Sequence, residues 1–329
     1  VRAIAYDRFG PPDVLRLVEA PAPQVRPHDL LVRVAAAGIN RADLMQRAGF
    51  YGGQTFGDSP LLGLELAGEV IEVGPSVTDM RVGDRVMAIV GGGAYAEVAR
   101  VDRGMAVRVP DGLPLTEAAG VMEAFVTAWE AVAHLAGVQP GQRVLIHAAA
   151  GGIGSAAVQV ARTLGATVYA TASAQRAADV RGLGAAAVID YRATDFETEV
   201  SRLTETAGVH AVIDFIGGDY LVRNLRSLTP GGTLVQVGVL SGDADTPIPL
   251  DLVLHHHLRL IGTVMKSRTP EEKRAMVARF AAGALPRLAS GEVHPVIDRV
   301  LPLEQAAAAH QKMERGGGFG KIILAAGKG

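Results

Sequence analysis

Cysteine is absent from the 329 residues. That excludes disulfides, thiolate zinc sites and cysteine nucleophiles. Charge imbalance is also missing: the formal net charge is −2, and no run of like charges stands out. A nucleic-acid footprint needs a clustered Lys/Arg face, and the primary sequence has none. Apolar stretches are broken by Gly, Pro or charge well before the ~20 residues of a membrane span. The opening Val1–Gly10 reads as a strand with Arg2, Asp7 and Arg8, not as a leader, so a cytoplasmic protein is expected. What is present is 49% hydrophobic and 20% charged residues, enough to bury a core and unlike a disordered chain. The length exceeds what one core usually holds and predicts two domains.

The first third reads as short strands between turn signals: Val1–Tyr6, Leu30–Ala35, Glu69–Val73, Arg85–Ile89 and Tyr95–Val101. A short helix over Arg41–Arg47 has Asn40 as its cap. Thr116–Leu135 reads as one long helix capped by Thr116. From Arg143 to Val237 apolar strands alternate with helices, the signature of a parallel sheet covered on both faces. Beyond it come a strand over Leu258–Met265, a helix opened by Thr269-Pro270-Glu271-Glu272, a helix over Glu304–Glu314 and a strand over Lys321–Ala325. The pattern predicts an α/β protein in which a doubly wound dinucleotide-type domain, residues 119–257, is inserted into a β-rich domain made of 1–118 and 258–329.

The strongest chemical signal is the run Val144-Leu145-Ile146-His147-Ala148-Ala149-Ala150-Gly151-Gly152-Ile153-Gly154, at the end of a strand and the start of a helix. Glycine there lets the backbone approach a pyrophosphate, and the helix start offers free N–H groups with partial positive charge. NAD-binding versions place an acid roughly 20 residues on, where it holds the ribose 2′-hydroxyl. Here the second strand ends Ala170-Thr171-Ala172-Ser173 without one. Ser173 and Arg176 follow, a hydroxyl and a fixed cation suited to a 2′-phosphate. Tyr191, after the third strand, either flanks the adenine or reaches the same phosphate. NADPH is the expected cofactor. His255-His256-His257 is not expected to bind metal, because adjacent residues do not share one face of a helix or strand.

Further motifs run along the chain: Gly38-Ile39-Asn40-Arg41-Ala42-Asp43, Gly63-Leu64-Glu65-Leu66-Ala67-Gly68, Val82-Gly83-Asp84-Arg85-Val86, Gly93-Ala94-Tyr95-Ala96-Glu97, Asp214-Phe215-Ile216-Gly217-Gly218 and Gly320-Lys321-Ile322-Ile323. With these and the Gly-rich turn, the whole chain resembles the quinone oxidoreductase branch of the medium-chain dehydrogenase/reductase family. The resemblance implies a split GroES-like catalytic domain around a Rossmann domain, a cofactor cleft between them and a homodimer. It implies further that Asn40 and Thr127 approach the nicotinamide end, and that Gly217 and Gly238-Val239-Leu240 line the nicotinamide and its ribose. Phe319 and Lys321 are expected to close the cleft. Zinc-dependent relatives carry Gly-His-Glu where this chain has Gly63-Leu64-Glu65, and they use cysteine ligands that it lacks, so metal-polarised alcohol chemistry is not expected. The expected reaction is metal-free hydride transfer from NADPH to a small quinone. The alternative acceptor is an enone or enoyl-thioester, which needs a proton donor. Tyr51, in the loop Gly49-Phe50-Tyr51-Gly52-Gly53, is the candidate donor, or else an aromatic wall of the substrate site. A more distant alternative is an RNA-binding or structural protein.

Overall fold

The computed structural model describes residues 1–50, 59–243 and 245–326. In chain order its strands are β1 (Arg2–Ala5), β2 (Arg16–Glu19), β3 (Asp29–Gly38), β4 (Glu65–Val73), β5 (Arg85–Ile89), β6 (Val98–Asp102), β7 (Ala106–Arg108), β8 (Arg143–Ile146), β9 (Thr167–Ala172), β10 (Ala187–Asp190), β11 (Val209–Asp214), β12 (Leu228–Gln236), β13 (Arg259–Gly262), β14 (Ile297–Pro302) and β15 (Lys321–Ala325). They belong to two compact units. One is Val1–Val126, Lys266–Ser290 and His294–Gly329; the other is Thr127–Met265 with Gly291–Val293. The boundaries expected at 118/119 and 257/258 differ from these. β13 lies beyond the second of them, yet it pairs in parallel with β12 (Thr233 opposite Arg259) and completes the sheet of the inserted unit.

In the first unit the strands run β14-β15-β3-β4-β5-β7, with β6 also on β3. Strand β3 organises the sheet. Its ten residues are buried on both faces: Leu31 and Ala37 are buried as well as Leu30, Val32, Val34 and Ala36 on the alternate positions. β15 returns from the far end of the chain and pairs antiparallel with β3, Ile323 opposite Gly38. The core joins Ile4, Leu30, Leu66, Val86 and Tyr95 to Ala309 of the C-terminal helix Ala306–Arg315. The helix Arg41–Arg47 starts at Asn40, whose backbone N–H donates to Asp43 Oδ2 at 2.8 Å.

The second unit holds a six-stranded sheet in the order β10-β9-β8-β11-β12-β13, all parallel. The order reverses between β8 and β11, so the crevice at their carboxyl ends is the topological switch point where such sheets take ligands. Helices such as Gly152–Thr163 and Tyr220–Ser227 join the strands. The apolar face of Tyr220–Ser227, with Leu221 and Leu225, meets strand residues Leu145, Val212 and Leu234 in one core with Phe196.

The long helix read over Thr116–Leu135 is a correction. The structure has Leu115–Ala118, capped by Pro114 rather than Thr116, then Met122–Trp129 and a π-helical turn Glu130–Leu135. The break falls at Ala119-Gly120-Val121. There Gly120 packs so near Ile297 and Ile323 that a Cβ would touch both side chains, and the backbone closes short turns instead, Gly120 N–H to Glu117 O at 3.0 Å. Strands β2, β7 and β14 have no counterpart in the sequence reading, being short and largely exposed or lacking alternation.

Candidate active site

At the carboxyl edge of the parallel sheet the chain leaves β8 through Ala148, which takes a left-handed φ of 48°. Ala149 N–H then donates to Thr171 O at the end of β9 (3.0 Å), and Gly151 N–H turns back to Ala148 O (2.9 Å). The helix starts at Gly152, with Gly151 at its cap and no cap side chain bonding the first-turn N–H groups. Its opening N–H groups, which have no partner one turn back, therefore face outward at the positive end of the helix. A side chain on Gly154 would collide with Ala148 O, so this position requires glycine to let the helix sit against the strand end. Gly151 is exposed and Ile153 half-buried. A smooth backbone cradle with uncapped amides fits a pyrophosphate.

The flanking strands end in the same plane. Ala172 of β9 is paired with Asp190 of β10, so Ser173 and Tyr191 leave the sheet side by side. Ser173 is half-buried and Tyr191 is 45% exposed. The Arg192 guanidinium lies over the Tyr191 ring, 5.6 Å from its centroid. Arg176 sits in the 3-10 turn after Ser173 and pairs with Asp179 at 3.1 Å, both side chains partly exposed. Exposed pairs of this kind contribute about 1 kcal/mol or less, so a phosphate dianion competes well for the guanidinium. No carboxylate replaces Ser173 at the end of β9, in agreement with the sequence reading.

On the other side of the switch point, Gly217 follows β11 with φ 69° and Gly238 follows β12. The two loops are stitched together: Leu240 N–H donates to Phe215 O (3.0 Å) and Ser241 N–H to Ile216 O (3.0 Å). Val239 and Leu240 are about half exposed at this edge. Thr127 is half-buried on the helix Met122–Trp129.

Beneath this edge runs a buried polar chain that sequence reasoning missed. Asp214 Oδ1 accepts from Ile216 N–H (2.7 Å), and its Oδ2 accepts from Gly217 N–H (3.1 Å) and Asn224 Nδ2 (3.0 Å). Because Asp214 only accepts, Asn224 Oδ1 faces His147 Nε2 at 2.7 Å, and the imidazole must carry its proton there. His147 Nδ1 then accepts from Thr171 Oγ1 at 3.0 Å. Burial holds His147 below the usual imidazole range despite the Asp214 charge, and Phe196 and Tyr220 pack edge-on against the ring. His147 is thus a neutral strut rather than a base. It joins the Gly-rich turn, the end of β9 and the Gly217 loop.

In the first unit Asn40 is the centre of a second network. Lys321 is 4% exposed, and its ammonium donates to Asn40 Oδ1 (2.5 Å) and Ile39 O (2.9 Å) and pairs with Glu65 Oε1 (2.6 Å). Asn40 Nδ2 donates to the same Glu65 oxygen (3.0 Å), while Glu65 Oε2 accepts from Glu123 N–H (2.9 Å). Burial, and then the Glu65 charge, raises the Glu123 carboxyl to about 8. Asp43, fully buried, is raised by burial to about 7 although Asn40 N–H and Tyr95 Oη both donate to it. Lys321 was expected to close a cleft, but its charge is consumed inside the unit. Phe319 is half-buried, its N–H on Asp298 (3.1 Å). Tyr51, the candidate proton donor, lies outside the described residues. The signal for Glu65 and Asp214 was present in the sequence: each is an acid set in an apolar strand, Leu64-Glu65-Leu66 and Ile213-Asp214-Phe215.

Comparison with known proteins extends these likenesses. Residues 26–111 match the alcohol dehydrogenase GroES-like domain, and 152–282 match the zinc-binding dehydrogenase family. The quinone oxidoreductase from Coxiella burnetii is 32% identical and superposes with a TM-score of 0.82 over 99% of each chain. This chain belongs to the medium-chain dehydrogenase/reductase family. The Escherichia coli quinone oxidoreductase, solved with NADPH, gives a TM-score of 0.88 at 29% identity, covering 99% of this chain and 100% of the other. Polyketide synthase GfsB of Streptomyces halstedii is 35% identical over 98% of this chain, which spans 6% of that protein's length. In the described residues no three His, Asp or Glu side chains group as a metal site requires. No helix there is long and apolar enough to cross a membrane.

Proposed function

We propose that this chain is an NADPH-dependent oxidoreductase that passes hydride from the nicotinamide to a small quinone without a metal. The observation that carries this reading is the end of β9 and β10, where Ser173, Arg176 and Tyr191 occupy the place at which NAD enzymes keep an acid. Gly151, Gly152, Ile153 and Gly154 would hold the pyrophosphate on their backbone amides. Gly217, Gly238, Val239 and Leu240 would line the nicotinamide ribose, with Thr127 and Asn40 toward the ring. Bound NADPH supplies the hydride; the protein's part is to orient it and to exclude water. A quinone suits this reading because its reduction yields an aromatic hydroquinone and needs little acid catalysis. The likeness to quinone oxidoreductases along the whole chain supports that acceptor; a homodimer is proposed with it. The match to a polyketide synthase favours a second acceptor class, a conjugated thioester or enone. That reaction adds a proton to carbon, and Tyr51 would be its donor. Following NADPH oxidation with an ortho-quinone and a simple enone separates the two. Turnover confined to the enone overturns the quinone reading.

A further inference from the structure

Lys321 is engaged unlike any ordinary surface lysine. Its ammonium is buried, and its three N–H bonds have three acceptors: Ile39 O, Asn40 Oδ1 and Glu65 Oε1. None is left for a ligand. The same geometry settles which way the Asn40 amide faces. Its oxygen is claimed by the ammonium and its nitrogen by Glu65 Oε1, with Gly38 O also within reach at 3.4 Å. A flipped amide would set an NH2 group against an ammonium and an oxygen against a carboxylate, losing both bonds at once. Asn40 is half-buried and heads its helix, so it reaches the surface with a fixed donor-acceptor sense. Glycine at position 38 makes room for this arrangement, since a Cβ there would run into Glu65 Oε1 and Ala119 O.

We propose that Lys321, together with Glu65, is a positioning residue that acts through Asn40. It locks the amide in the one orientation that presents Asn40 to the nicotinamide end of the cofactor. The proposal rests on the function proposed above for its ligand, and it changes the role of Lys321. The side chain does not bind the cofactor; it holds the residue that does. Sequence order reinforces the point, because Asn40 and Lys321 come from opposite ends of the chain and meet only through the pairing of β15 with β3.

The test compares Lys321→Gln, Asn40→Ala and the double variant in two assays. One is NADPH-dependent reduction of an ortho-quinone, backed by the fluorescence of bound NADPH. The other is the affinity of 2′,5′-ADP, which carries the adenine and the 2′-phosphate but no nicotinamide. Misaligning a reacting group by an ångström costs up to about 100-fold, so Lys321→Gln should lower kcat/KM by about 10- to 100-fold. It should leave 2′,5′-ADP affinity within about twofold and cause no further loss in the Asn40→Ala background. Glu65→Gln with Lys321→Met removes both charges and guards against misfolding from a lone buried carboxylate; the same selective loss is expected. Unchanged kcat/KM in Lys321→Gln overturns the proposal while the function stands. So does an equal loss with and without Asn40, or a parallel loss of 2′,5′-ADP affinity. A parent protein that neither binds nor oxidises NADPH overturns both.

Discussion

Replacing Asn224 by leucine should break the buried chain under the cofactor edge. The side chain is fully buried and bridges two groups that have no access to water, His147 Nε2–H and Asp214 Oδ2. Leucine has similar bulk and makes neither bond. His147 is left with an unsatisfied N–H at a cost of about 1–3 kcal/mol, and Asp214 loses one of three donors for about 1 kcal/mol more. The sum is about 3 kcal/mol, with Ile216 and Gly217 N–H still holding the carboxylate. For a domain of this size that lowers Tm by roughly 6–12 °C. Thermal unfolding followed by circular dichroism, without cofactor, reads the effect. Asn224→Asp adds a signature. It sets two carboxylates together, so one keeps its proton and its folded pKa rises above the unfolded value. The folded state then holds more protons, and the variant loses stability as pH rises from about 4 upward. A Tm for Asn224→Leu within about 2 °C of the parent would refute the account of this network.

Three further outcomes are expected. Arg176→Ala should raise KM for NADPH by about 10- to 100-fold and leave NADH unchanged, since a charge-assisted bond to phosphate is worth about 1.5–3 kcal/mol; steady-state kinetics with both cofactors decides. Gly154→Ala, whose new methyl meets Ala148 O, should weaken NADPH binding and lower Tm together, because the helix must move off the strand end; fluorescence titration and thermal melts read the two effects. Asp43 is raised to about 7 from an ordinary 3.8, so the folded state holds the extra proton and stability falls as pH rises between those values. Asp43→Asn offers the same acceptor to Asn40 N–H and Tyr95 Oη and should flatten that fall in urea melts at about pH 4.5 and about pH 7.5.

Much of this architecture was legible because its signals are local. The Gly-rich turn after an apolar strand, the absent acid at Ser173, and the capped helices starting at Arg41 and Pro270 all depend on near neighbours. What was hidden depends on distance along the chain. Lys321 reads as a charged cleft residue until β15 brings it to Asn40 and Glu65. Asn224 reads as one polar residue in an amphipathic helix until β8 and β11 set His147 and Asp214 on either side of it. The interrupted helix after Leu115 has the same cause: Gly120 gives way where Ile297 and Ile323, remote in sequence, press on the backbone. β13 falls beyond the boundary expected at 257/258, because nothing in Arg259–Gly262 itself says that its neighbour is β12.

The most direct measurement is the initial rate of NADPH and of NADH oxidation by the purified protein with an ortho-quinone, followed by absorbance. The account predicts quinone-dependent oxidation of NADPH with NADH at least about tenfold slower, the discrimination one charge-assisted phosphate contact supplies. Equal rates with the two cofactors would contradict the role given to Ser173, Arg176 and Tyr191. No oxidation of either, with any quinone or enone, would contradict the proposed activity itself.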